Sequence, residues 1–175
     1  MAEGRRGLGR GLSALLDEAE AATTPEARRA AGVEEIPIEL IQANPDQPRR
    51  HFSEAELDEL AKSIRQRGVL QPILVRPLLD DAGSYQIVAG ERRWRASQKI
   101  GLHVVPALVR VLSDTDVMDI AVIENVQRQD LTALEEARAY RKMMDFGSRT
   151  ADVIGNLIGK SRSHVANTVR LLSLP

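Results

Sequence analysis

The sequence predicts an α/β (α+β) fold, with strands and helices mixed up to Leu112 and helices alone after it. Three observations carry this. Short apolar runs alternate with stretches of helical spacing between Val33 and Leu112. From Ser113 onward the spacing is helical only, and Ser or Thr stands at the helix starts. Of the 175 residues, 43% are hydrophobic and 28% charged, a composition that argues against wholesale disorder.

The elements follow in order. Residues 1–32 read as a disordered tail in which Gly4, Gly7, Gly9 and Gly11 alternate with arginines and leucines. A short helix over Leu12–Ala19 is expected only against a partner. Val33–Ile41 reads as a strand of alternating polarity, and Asn44–Arg50 as a loop held extended by Pro45 and Pro48. Ser53 and Glu56 form a capping box for a helix with Leu57, Leu60, Ala61 and Ile64 on one face, closed by Gly68. Val69–Val75 is strand-like, with Pro72 marking an edge or a strand start. Tyr85–Ala89 is a strand, Gly90 a tight turn, Glu91–Ile100 a helix closed by Gly101, and Val104–Leu112 a further strand. Ser113 with Asp116, and Thr132 with Glu135, open two more helices.

Thr150–Ile158 is helical in pattern, Gly159 breaks it, and Ser161 caps a second helix with Val165, Val169 and Leu172 on one face. Small Gly155, turn-forming Gly159 and Val165 have the spacing of a helix-turn-helix. The start of the second helix offers Ser161, Arg162, Ser163, His164 and Asn167, donors and acceptors suited to phosphates and base edges. An ordinary helical hairpin with a polar outer face fits the same spacing. Net charge is −1 overall, but residues 146–175 carry four basic side chains against one acidic, which favours a polyanion partner for that end.

No cysteine occurs, which excludes disulfide scaffolds, thiolate zinc sites and thiol catalysis. His51, His103 and His164 are too scattered for a metal motif, and no apolar run approaches bilayer length. Two short motifs remain. Gly90-Glu91-Arg92-Arg93 lies between a strand and a helix, where a glycine permits close approach to unpaired backbone N–H groups and arginines match phosphate oxygens. Glu91 has the wrong sign for a pure phosphate cradle, and a capped surface helix with paired arginines is the plainer reading. It is not a P-loop, since no Gly-x-x-x-x-Gly-Lys-Ser/Thr occurs. Glu124-Asn125 offers two oxygen ligands for a hard cation beside Arg128, though for this motif alone an ordinary polar helix end is the plainer reading.

Together the motifs resemble the ParB family of partition proteins. The matching stretches are Gly9–Leu16, Asn44–Arg49, Gly68–Ile73, Gly90–Ala96, Glu124–Arg128, and Gly159–Ser161 through Arg170–Pro175. The resemblance implies a ParA-interacting tail over 1–32, a CTP-binding domain over 33–130 and a partial helix-turn-helix domain over 131–175. It implies a CTP-dependent DNA clamp that closes at a parS site and reopens on slow CTP hydrolysis with Mg²⁺. A plain helix-turn-helix regulator on a structural body is the alternative.

By motif, Gly90, Glu91, Arg92 and Arg93 would meet the triphosphate, and Asn125 with Glu124 would serve the metal. Glu91 and Glu124 would act in hydrolysis. Gln47, Arg49 and Val69, Leu70, Gln71, Pro72 would shape the pocket and its cytosine end. Ser161, Arg162, Ser163, His164, Asn167 and Arg170 would face parS, and Arg5, Arg6 and Arg10 would meet the ATPase ParA. The resemblance further implies self-association when CTP is bound, no membrane contact, and a cytoplasmic, nucleoid-associated location.

Two departures stand out. Thr150-Ala151 and Gly155 replace the family's usual Thr-Gln and Ala, and a helical glycine costs about 1 kcal/mol against alanine, predicting a weak helix or altered register. The chain ends at Pro175, before the further helices and dimerisation domain usual in the family, so a shortened chain is expected. Sulfiredoxin, with a related core, needs a reactive cysteine and is set aside.

Overall fold

The computed structural model describes residues 8–46 and 52–175, with side chains from residue 11 onward in the first stretch. It divides into two compact units, one over residues 16–112 and one joining residues 113–175 to the beginning of the chain. Helix α1 (Leu8–Ala21) contributes residues to both.

The first unit is built on a five-stranded sheet of β1 (Glu34–Pro37), β2 (Ile41–Gln42), β3 (Ile73–Pro77), β4 (Tyr85–Ala89) and β5 (Val104–Val109), in the order β1-β5-β3-β4-β2. β3 runs parallel to β5 and antiparallel to β4, so it is the central strand. Pro72 has no N–H to give a ladder, and the strand begins at the residue after it. Pro106 lies one residue before β5 starts to pair with β3, at Ala107, so only β1 flanks it there. Between Leu74 and Val75 the register shifts, with Ala89 and then Ile87 opposite, so β4 accommodates one extra residue just before Gly90.

Ile36, Ile73, Val75, Ile87, Val105 and Ala107 form the core on one face of this sheet. Helix α3 (Glu54–Arg67) adds Ala61 and Ile64 to it, and helix α4 (Glu91–Lys99) adds Ala96. Burying each large aliphatic side chain contributes about 1.5–3 kcal/mol. Ser53 caps α3 as predicted, its side chain accepting from the Glu56 N–H. The predicted strand over 33–41 is instead two short strands separated by a 3-10 turn at Ile38–Leu40.

The expectation of a disordered tail fails for residues 8–31. They form α1 and a second helix, α2 (Pro25–Ala31), capped by Thr24 and closed by Gly32. Leu12, Leu16, Ala19 and Ala22 are buried, a stripe at helical spacing that the flanking glycines obscure. Arg110, just past β5, donates to the Ala31 carbonyl at 3.0 Å and pairs with Glu18 at 3.3 Å.

The second unit holds α5 (Asp114–Val126), α6 (Ala133–Gly147), α7 (Ala151–Ile158) and α8 (Arg162–Arg170). Reciprocal capping boxes form at Thr132 with Glu135, as predicted, and at Ser113 with Asp116. Ile120, Ile123, Ala137, Tyr140, Met143, Ile154 and Val165 are fully buried in this unit. So is Asp119, whose Oδ2 accepts from Arg149 Nε at 2.9 Å and Nη2 at 2.7 Å while Oδ1 has no partner. Burial pushes the Asp119 carboxyl above its ordinary value, and the Arg149 hydrogen bonds pull it back.

Arg149→Ala should therefore destabilise the chain by about 3 kcal/mol near neutrality, since it strands a buried charge. Without Arg149 the folded state binds a proton on Asp119 more readily than the unfolded chain does. The loss should then shrink as pH falls and the carboxyl is neutralised. Urea unfolding of both proteins at about pH 7 and about pH 4 checks this, and an equal loss at both would contradict it.

Candidate functional site

β4 runs straight into Gly90, which sits at φ 97° and ψ 26° as the N-cap of α4. No side chain caps this helix start, which leaves its first N–H groups and the positive end of its dipole unpartnered by a side-chain cap. A Cβ on Gly90 would lie 3.1 Å from Arg93 Nη2 and 3.2 Å from Cζ, so the guanidinium lies across the glycine. The positive φ favours glycine here, and a side chain would also press on the guanidinium.

Arg93 Nη1 donates to the carbonyls of Gln71, at 2.9 Å, and Pro72, at 2.6 Å. The structure thus brings Gly90, Arg93 and the Gln71-Pro72 segment into one corner. Arg92 makes an exposed ion pair with Glu56 at 3.5 Å, an interaction worth about 0–1 kcal/mol and readily exchanged. Glu91 is buried to 9% exposure and its Oε1 accepts from Arg95 Nε at 3.0 Å and Nη2 at 2.8 Å. Arg95 in turn stacks on Phe52, 4.6 Å from the ring centre. The awkward negative charge is therefore paired with a neighbour one helical turn on. That i, i+4 pairing was open to sequence reading.

Val69 and Leu70, with Arg28, Arg29 and Arg67, border a groove of about 520 Å³. Glu124, exposed, and Asn125, half-buried, end helix α5 in the second unit. Arg128 pairs with Asp130 at 3.4 Å. Among the described residues no group of three or more His, Asp or Glu side chains gathers to hold a metal ion unaided. Gln47, Arg49, Arg5, Arg6 and the Arg10 side chain lie outside what the structure describes.

The helix-turn-helix expectation is met locally. Gly159 is left-handed at φ 73°, and Ser161 caps α8 by accepting from the His164 N–H at 3.0 Å. A Cβ on Gly155 would come within 2.6 Å of the Lys160 carbonyl oxygen. The glycine that predicts a weak helix instead admits the turn backbone against α7. Arg162, Ser163, Asn167 and Arg170 are exposed along α8. His164 is turned to α6: its Nε2 lies 3.0 Å from Glu136 Oε1 and its ring meets Tyr140 edge-on. Burial raises the Glu136 carboxyl, but hydrogen bonds from His164 and Tyr140 outweigh it and hold the carboxyl below its ordinary value.

These features define a two-unit protein, a mixed sheet with an arginine-bearing helix start and a bundle with a helix-turn-helix. The ParB N-terminal domain model matches residues 22–126 and the ParB HTH domain model residues 129–175. The chain belongs to the ParB family. It is 61% identical over its whole length to the chromosome-partitioning protein ParB of Caulobacter vibrioides, covering 58% of that protein. It is 49% identical to ParB of Myxococcus xanthus over 98% of this chain and 57% of that one. It thus spans less than two thirds of the length of these curated relatives.

Two solved structures of C-terminally truncated Caulobacter crescentus ParB are similar. One, complexed to the centromeric parS site, has 59% identity and a TM-score of 0.66 over 81% of this chain and 73% of that one. The other, complexed with CTP-γ-S, has 62% identity and a TM-score of 0.53 over 82% and 80%. Among the described residues no helix is long and apolar enough to cross a membrane.

Gly155→Ala should lower stability by at least about 1 kcal/mol net, because the overpacking against Lys160 exceeds the helix-propensity gain. Thermal unfolding checks it, and a raised midpoint would show that the turn can move aside.

Proposed function

We propose that this chain is the nucleotide- and DNA-engaging part of a chromosome-partitioning protein. It takes CTP with Mg²⁺ at the Gly90 helix start and parS DNA at α7–α8. It closes as a sliding clamp and reopens on slow CTP hydrolysis. The observation that supports this best is the uncapped start of α4 with Gly90 beneath Arg93 and an easily released Arg92 beside it. A relative solved with CTP-γ-S points the same way.

On this reading Arg93 exchanges two neutral carbonyls for anionic phosphate oxygens, and charge-assisted bonds are roughly twice as strong as neutral ones. Backbone N–H groups at the helix start face the same charge. Asn125 and Glu124 carry the oxygen donors a hard cation prefers. They would hold Mg²⁺ together with the phosphates, whose charge the ion neutralises. Glu124 orients the attacking water, and positioning and electrostatics make up the remaining catalysis. Glu91, paired with Arg95, fixes the helix start on which Arg93 stands. Ser161, Arg162, Ser163, His164, Asn167 and Arg170 face parS, and Ser161 also caps the helix that carries them. Arg5, Arg6 and Arg10 meet ParA, self-association accompanies closure, and the protein works in the cytoplasm on the nucleoid.

A second reading has one observation in its favour. Arg93 already has a structural partner in the carbonyls of Gln71 and Pro72, which suits a DNA-binding regulator with an inert sheet unit. Calorimetric titration with CTP and Mg²⁺, with parS DNA present, separates the two. Wild type should bind, Arg93→Ala should lose binding while remaining folded, and Glu124→Gln should bind without releasing phosphate. Wild-type affinity in Arg93→Ala would return Arg93 to the structural reading, and unchanged phosphate release would remove Glu124 from the mechanism.

A further inference from the structure

Four consecutive carbonyls, Val69 to Pro72, accept from two guanidinium groups. Arg93 of α4 takes Gln71 and Pro72, as described above. Arg28 of α2 takes the other two through Nη2, donating to the Val69 carbonyl and to the Leu70 carbonyl at 2.7 Å. The same guanidinium is tied through Nε to the Ala22 carbonyl at 3.4 Å, next to the end of α1. The segment lies between Gly68 and the first residue of β3, so it has no strand ladder of its own. Backbone carbonyls without a ladder need other donors, and these two arginines supply them.

The two grips differ in what else asks for them. Arg93 is the side chain assigned to phosphate, and Arg28 has no such second claim. When Arg93 turns to an anion, Gln71 and Pro72 lose donors, and Arg28 still holds the half of the segment that borders the groove of about 520 Å³.

We propose that Arg28 is a positioning residue for the nucleotide site, presetting the Val69-Leu70 backbone at the base end. The role rests on the nucleotide reading above. It makes α2 a working part of the site, so nucleotide affinity depends on α2 staying docked.

The test compares Arg28→Ala, Arg28→Lys and Arg65→Ala in the whole 175-residue chain. Arg65, an exposed arginine on α3 with no side-chain hydrogen bond or ion pair among the described residues, lies outside the groove lining and serves as control. Calorimetry with CTP and Mg²⁺ should show about a tenfold to hundredfold loss of affinity in Arg28→Ala. Arg28→Lys, which keeps the charge but not the fork, should recover part of it, and Arg65→Ala should match wild type. Hydrogen exchange should quicken at the amides of Val69, Leu70 and Gln71 in Arg28→Ala and stay unchanged in the sheet strands.

Unaltered CTP affinity in Arg28→Ala overturns the proposal. So does a loss accompanied by faster exchange across the whole sheet, which marks general destabilisation. If the wild-type chain itself shows no CTP affinity, the nucleotide reading falls, and this role with it.

Discussion

The corner where Arg93 lies across Gly90 and reaches the Gln71 and Pro72 carbonyls is the constraint on which the candidate site depends. It joins the turn between β4 and α4 to the entry of the central strand β3, 22 and 21 positions away in sequence. A side chain at residue 90 would press on the guanidinium, and the left-handed backbone there would be strained. The extra residue in β4 immediately before the turn sets where the helix begins. Burial beneath is secure, so the polar corner can change partners without disturbing the core.

That corner also explains how one arrangement serves both fold and function. Two neutral carbonyls are adequate partners for a guanidinium, and a triphosphate is a stronger one. Glu91 would oppose such a ligand were it not matched by Arg95. The helical unit follows a parallel logic. Asp119 is buried because Arg149 accompanies it, and Gly155 is tolerated because the turn backbone occupies the space a methyl group would need.

Much of this was legible in the residues. Ser113, Thr132, Thr150 and Ser161 announce their helices because a cap is a local event, settled within four residues. The Gly90 turn and the α7–α8 hairpin were legible for the same reason. The packing of residues 8–31 was not: Leu12, Leu16 and Ala19 hold a helical stripe, but glycines and small polar residues around it mask the signal. Arg28 could not be read at all, since its carbonyl partners lie 41 and 42 positions away and any residue presents a carbonyl. The partners of His164 were hidden for a similar reason, because Glu136 and Tyr140 stand on a different helix. Gly155 looked like a weakness while its neighbour across the turn was unknown.

The most direct measurement is a crystal structure of this chain grown with CTP and Mg²⁺. The account predicts phosphate oxygens at the α4 start, with Arg93 turned from the Gln71 and Pro72 carbonyls toward them while Arg28 keeps those of Val69 and Leu70. A nucleotide bound elsewhere, with Arg93 still on both carbonyls, would contradict it.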